Sequence, residues 1–301
     1  FHVAGQFIRQ LLQSTPAPLI DIQDVYVLLA SSLLHDIGHY PFSHLLEEMQ
    51  MFFVDHEKRS RQIIEDPTTE VNQALISLNI DPTRVANVID YKDRKIPQRD
   101  LRLAHILSGT LDPDKIDYLL RDARYCGVPF GESVNRDRLI RSITYDADTD
   151  RPAITYKGIS AVEALVFTNY LMYRNVYWHH AVRSANAMFK RFVQDLLASP
   201  SCSLREDDFN RATEADLIHR LEQELNIQGT EKRESIIGLL KRRKLYKVAR
   251  TFFPHEQSQE LMEEFGRLYF EPEERREVEI SLCKEISSRT GLPLKGNEIL
   301  L

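Results

Sequence analysis

Residues 28–44, LLASSLLHDIGHYPFSH, place three histidines and an aspartate at the end of an apolar run. Polar groups carried into a core need partners, since an unpaired one costs about 2 to 7 kcal/mol on leaving water and a charged one more. A cation, a phosphate or a hydrogen-bond network could each satisfy His35, Asp36, His39 and His44. On a regular helix the adjacent His35 and Asp36 diverge by about 100°, so they grip one ion only at the helix flank. His39 falls one turn after His35 on the same face, and Gly38 clears a side chain where a ligand needs close backbone approach. Mixed imidazole and carboxylate donors suit a divalent transition metal or manganese. Two neighbouring ligands do not make a tight site, so further donors must come from elsewhere. The segment DPDKIDYLLRD, residues 112–122, offers them: Asp114, Tyr118 and Asp122 recur at i, i+4 and i+8, with Lys115 beside them. Ile116, Leu119 and Leu120 point in other directions, which leaves that helix one chemically active face.

The elements that must position these groups read as almost entirely helical. The spacing of Val3, Phe7, Ile8, Leu11 and Leu12 predicts a helix over 1–13, closed by STPAP. Asp24 is placed to cap the next helix, which runs through Leu28, Leu29, Leu33 and Leu34 into the His/Asp cluster until Pro41 interrupts it. Further helices are predicted over 44–53, 56–64, 69–78, 82–89 and 112–124. Residues 142–146 and 152–157 alternate around the turn-forming ADTDR and read as one small β-hairpin. One or two long helices follow over 163–198, then helices at 214–225, 236–248 and 259–270. The segment KRRK, residues 241–244, reads as a solvated basic face, with contact to an effector nucleotide or nucleic acid as the alternative.

With 301 residues and 43% hydrophobic composition the chain can bury a substantial core. A net charge of −6 argues against broad nonspecific binding to nucleic acid or anionic membrane and leaves a local anion pocket open. Cys126, Cys202 and Cys283 are odd in number and far apart, so neither a disulfide framework nor a thiolate zinc site is indicated, and a reducing, cytoplasmic setting is expected. No membrane-spanning apolar run and no signal peptide are visible. The chain opens at Phe1, without methionine and already inside a helical pattern, which reads as truncation at the front.

In this order, LLHDIGHYPFSHLLE, the HE of HEKRS and DPDKIDYLLRD resemble the HD-domain phosphohydrolases, and within them the deoxynucleoside triphosphate triphosphohydrolases. LKRRKLYKV is more loosely similar to a stretch in the extension of that branch. The resemblance implies an all-α HD-domain fold, with a catalytic core over residues 1–200 and a helical extension over 201–301. It implies metal ligation by His35, Asp36 and Asp114, with one more histidine a few residues ahead of Phe1 and His2 as a neighbour of the site. The cofactor is then a divalent cation, with Mn, Fe, Zn, Ni and Mg all open. His39, His44, His56 and Glu57 match the family's catalytic positions. Lys115, Tyr118 and Asp122 match contacts to phosphates and sugar, and Arg174 with Asn175 matches a segment that approaches the triphosphate. His179 and Arg183 are further phosphate partners. The implied reaction is metal-dependent hydrolysis of a deoxynucleoside triphosphate to deoxynucleoside and triphosphate, with homo-oligomers and an effector nucleotide as implied partners. The residue pattern by itself supports only metal and phosphate chemistry. Two alternatives stay open: hydrolysis of another nucleotide, either a monophosphate or a signalling nucleotide, and a nucleotide-responsive module that assembles without turnover.

Overall fold

A computed structural model describes residues 1–109, 111–210, 212–227, 235–248 and 254–294. It is mostly helical with one two-stranded sheet, an HD-domain fold. The described chain groups into two units, residues 1–178 and 179–301, which places the long helix after Trp178 with the second unit and not with the core expected to reach residue 200.

In the first unit, α1 (His2–Leu12) turns Val3, Phe7, Ile8 and Leu11 of the predicted stripe inward, whereas Leu12, at its end, is exposed. The next helix, α2 (Ile22–Leu34), is capped by Asp21 and not by Asp24. Asp24 is the third residue of the helix and completes a capping box, each side chain accepting the other's backbone N–H. After α3 (His44–Glu47), α4 (His56–Glu65), α5 (Glu70–Ser77), α6 (Pro82–Ile89) and α7 (Gln98–Leu107) comes α8 (Pro113–Tyr125). Asp112 caps α8 by accepting from the Lys115 N–H at 2.6 Å, and Pro113 takes the first position, where a missing N–H costs nothing. The short α9 (Arg136–Arg141) leads into β1 (Ile143–Asp146) and β2 (Arg151–Ile154), antiparallel with Ile143 opposite Ile154 and Asp146 opposite Arg151. The unit closes with α10 (Ile159–Met172) and a π-helical turn, Tyr173–Tyr177.

Helix α6 is the hub of this unit: α2, α4 and α7 all pack on it, while α1 packs on α8 and β1. Phe7, Leu28, Ile64, Val85, Leu103 and Ile116 are among the fully enclosed side chains of the resulting core. The second unit holds α11 (His180–Leu197), α12 (Glu206–Asn210), α13 (Glu214–Ile227), α14 (Ile236–Lys241), α15 (Gln259–Phe270) and α16 (Pro272–Thr290), with α13 and α14 on α11.

Several expectations shift. The helix predicted over 44–53 stops at Glu47, and the basic helix predicted over 236–248 stops at Lys241, where Arg243 takes a left-handed φ of 55° that a helix cannot continue through. KRRK is therefore not a helix face. Helices α7 and α16 are absent from the sequence reading, and α16 hides because its charges are spread around the helix without an apolar stripe.

Candidate active site

The histidine-rich stretch does not continue α2 as a regular helix. Beyond Leu34 the chain winds in tight turns, with the Ile37 N–H on the Leu34 carbonyl and the His39 N–H on that of Asp36. Helix α4 explains why. The Gly38 N–H donates to Ser60 Oγ at 3.0 Å, the Ser60 hydroxyl donates to the His35 carbonyl at 3.1 Å, and Arg59 donates to the Gly38 carbonyl while its guanidinium covers the Tyr40 ring at 3.6 Å. A β-carbon on Gly38 would lie 2.1 Å from the His56 carbonyl oxygen and 2.6 Å from Ser60 N. The space this glycine clears is filled by the chain itself, not by a ligand.

The turn brings His35, Asp36 and Asp114 together. His35 Nδ1 donates to the Ser32 carbonyl at 3.2 Å, which leaves the Nε2 lone pair free. That Nε2 is buried without a hydrogen bond, and the carboxylate oxygens nearest it are Asp36 Oδ1 at 3.4 Å and Asp114 Oδ1 at 3.7 Å. Donors sharing one cation at bond lengths near 2.1 Å stand about 3.0 to 3.4 Å apart; the His35–Asp36 distance meets that range and the 3.7 Å to Asp114 exceeds it slightly, so a divalent ion at the solvent-open side of the two half-exposed carboxylates would need to draw Asp114 in. Without a cation, burial would lower the His35 pKa, but the Asp114 and Asp36 carboxylates outweigh it and hold it above the ordinary value. A cavity of about 250 Å³ adjoins these residues, and His2, Asp117 and Arg121 share its lining.

His39 links this group to a second one. Its Nε2 is 3.5 Å from Asp36 Oδ1, and its Nδ1 donates to Glu47 Oε1 at 2.7 Å. Glu47 also receives Nδ1 of His56 at 3.0 Å and Nδ1 of His44 at 3.3 Å. The His39 and His56 rings stack at 4.0 Å, with His44 edge-on to both. Burial alone would raise the Glu47 pKa, yet three imidazole partners push it far below the carboxylate range. Burial likewise opposes the charged form of His39, but Asp36 and Glu47 raise it to about 9. The strained backbone just ahead, Phe42 at φ 64° and Ser43 at φ 46°, turns the chain so that His44 begins α3 on this cluster. His39, His44, Glu47 and His56 could themselves hold a metal ion, since one ligand atom from each lies within 4.8 Å of the others. Glu47 is the site residue that the sequence reading lacks, and its signal is an acid one helical turn after His44.

The remaining candidates are engaged in different ways. Glu57 pairs with Lys92 at 2.7 Å and not with the histidines. Lys115 Nζ donates to Asp112 Oδ2 at 3.1 Å and to the Gly109 carbonyl at 3.3 Å. The Tyr118 phenol, on the Asp114 face of α8, is pushed up to about 12 by burial and the neighbouring negative groups. Asp122 accepts the Tyr177 hydroxyl at 2.7 Å, and burial together with that bond raises the Tyr177 pKa. Arg174 donates to the Tyr170 hydroxyl at 2.9 Å on the exposed π turn. His179 caps α11 through Nδ1, and Arg183 is exposed on that helix. Among the described residues Cys126, Cys202 and Cys283 form no disulfide, and no helix is long and apolar enough to cross a membrane.

The family model of the HD domain matches residues 5–121, and that of the HD-associated region matches residues 134–291, more than half of the chain. This chain belongs to the HD-domain family. It is 36% identical over 179 residues to the uncharacterised protein YwfO of Bacillus subtilis, covering 58% of this chain and 38% of that protein. It is 33% identical over 211 residues to the uncharacterised protein MJ1154 of Methanocaldococcus jannaschii, covering 66% and 42%. It is 26% identical over 261 residues to the deoxynucleoside triphosphate triphosphohydrolase SAMHD1 homologue of Dictyostelium discoideum, covering 82% and 48%. The chain thus spans less than half the length of these relatives. A crystal structure of a phosphohydrolase from Bacteroides thetaiotaomicron matches with a TM-score of 0.67 over 99% of this chain and 70% of that one, at 23% identity, which shows the shared fold.

Proposed function

We propose that this HD-domain protein is a metal-dependent phosphohydrolase that cleaves deoxynucleoside triphosphates to deoxynucleoside and triphosphate. The observation that carries the reading is the junction of two groups at Asp36: Asp36 and Asp114 within 3.7 Å of the unbonded His35 Nε2, and three imidazoles gathered on Glu47. A divalent cation held by His35, Asp36 and Asp114 would polarise a phosphoryl oxygen and make a nearby water more acidic. Glu47 occupies Nδ1 of His39, His44 and His56, so His44 and His56 are left with Nε2 for substrate, while Nε2 of His39 stands 3.5 Å from Asp36 Oδ1. Those nitrogens can donate to oxygens that gain charge as a phosphate is attacked. His39, whose proton two carboxylates hold, is the assigned donor to the departing 5′ oxygen. Lys115, Tyr118, Asp122 and Arg174 complete the reading as phosphate and sugar contacts. The choice of substrate draws on the motif order and on the similarity to the Dictyostelium protein named above. Homo-oligomerisation, an effector nucleotide and a cytoplasmic setting belong to the same proposal.

A second reading, hydrolysis of a nucleoside monophosphate, draws on one observation: Lys115 is turned to Asp112 and Gly109, and Arg174 to Tyr170, so neither cation is free to meet a triphosphate without rearranging. Product chromatography of the full-length protein with deoxynucleoside triphosphates, ribonucleoside triphosphates and deoxynucleoside monophosphates, in Mn²⁺, Mg²⁺ and Zn²⁺, separates the two. Equal yields of deoxynucleoside and triphosphate are expected. Pyrophosphate or monophosphate without triphosphate sinks the proposal, and turnover of monophosphates alone favours the second reading.

A further inference from the structure

A cavity of about 520 Å³ lies between α1, α7 and the β-hairpin and shares no lining residue with the cavity at His35 and Asp114. Ligand pockets span roughly 300 to 1,000 Å³, so it has room for a small organic molecule. Four polar side chains in its lining have no hydrogen-bond partner among the described residues: Tyr91, His105, Ser108 and Arg151. His105 Nδ1 is buried and orphaned, a state that a native site avoids unless something else satisfies it. Burial, and after it the charge of Arg151, holds the His105 pKa below its ordinary value, so a neutral ring offers one N–H and one lone pair.

Arg151 forms no ion pair among the described residues, although Asp146, Asp148 and Asp150 share its hairpin, and two of these acids are engaged elsewhere. Asp146, opposite it in the sheet register, accepts from Thr149 and from the Asp148 N–H. Asp150 accepts from Arg102 at 2.7 Å, from Gln98 at 2.8 Å and from Tyr145. The hairpin therefore presents a guanidinium without an ion-pair partner at a cavity lined also by Phe7, Ile143 and Ile154, with the Tyr91 ring edge-on to His105 at 6.2 Å.

From this juxtaposition we infer a second ligand site, between α1, α7 and the hairpin, for a small organic phosphate with a flat apolar body. Arg151 is the group that meets the anion, since a guanidinium matches phosphate in shape and charge. Ser108 and Tyr91 add hydroxyl donors, His105 takes a polar edge of the body, and Phe7 with Ile154 packs its faces. The inference stands apart from the proposed reaction, because none of these residues belongs to the histidine groups.

Isothermal titration calorimetry of the full-length protein tests it, with adenosine monophosphate, adenosine and inorganic phosphate as probes. Adenosine monophosphate should bind the wild type and Asp114→Ala alike, and more tightly than either fragment. Arg151→Ala should weaken it about tenfold, and Arg151→Lys less, as expected for loss of one charge-assisted contact. Arg151 is exposed and its side chain has no protein partner, so these variants keep the fold. No saturable binding at millimolar concentrations, equal binding by wild type and Arg151→Ala, or loss of binding in Asp114→Ala would each overturn the assignment.

Discussion

Gly38→Ala tests whether the HDIGH turn is shaped by α4 or by a ligand. An added methyl would sit 2.1 Å from the His56 carbonyl oxygen, 2.6 Å from Ser60 N and 2.8 Å from Ser60 Oγ. Carbon and oxygen in contact need more than 3 Å, and two of the three obstacles are backbone of one helix, so turn and helix must part by about 1 Å. That movement breaks the bonds from Gly38 to Ser60, from Ser60 to His35 and from Arg59 to Gly38. Three hydrogen bonds, two of them buried, at about 1 kcal/mol each, plus about 1 to 3 kcal/mol for overpacking, give a loss of about 4 to 6 kcal/mol. Urea unfolding followed by circular dichroism reads the loss, and amide exchange at residues 35–39 and 56–60 should speed up together. Both effects should appear in metal-free protein. A loss below about 1 kcal/mol, or one seen only with cation bound, would refute the packing argument.

Asp114→Ala should strip the cation, read by elemental analysis, whereas Glu47→Gln should keep it and lose turnover. The reverse outcome would move the ion to the His39, His44, Glu47 and His56 cluster. Tyr177→Phe frees one oxygen of Asp122 and should change KM more than kcat, and an unchanged KM would remove Asp122 from the sugar contacts. Asp24 governs an acid transition: burial raises its pKa, but Arg99 and Arg84 outweigh burial and hold it below the usual value. A depressed carboxylate stabilises the fold above its unfolded value near 3.9 and ceases to as pH falls through the folded value. Asp24→Asn should therefore cost about 2 kcal/mol at pH 7 and flatten the loss of stability below pH 4, measured by urea midpoints across pH.

How far the sequence carried depends on whether the signal was local. The polar face of α8 was legible because Asp114, Tyr118 and Asp122 repeat at helical spacing, and α1, α6 and α15 follow their apolar pattern closely. Helix α2 was legible as a helix, yet its end was not, because the turn at His35 is imposed by Ser60 and Arg59 more than twenty residues later. Glu47 was hidden at shorter range: in HLLE it reads as a surface acid, and only the fold returns His39, eight residues before it, and His56, nine after it. Helix α7 lacked a start signal beyond Pro97, and the cavity beside it draws on three segments too far apart for any motif.

Hydrolysis in ¹⁸O-labelled water, followed by ³¹P NMR and mass spectrometry, tests the central claim most directly. Attack at the α-phosphorus with departure of the 5′ oxygen puts one label into triphosphate and none into deoxynucleoside. The proposed reaction predicts that pattern in metal-loaded protein and its disappearance in Asp114→Ala. Label in a monophosphate or pyrophosphate product, or turnover that survives Asp114→Ala, would contradict it.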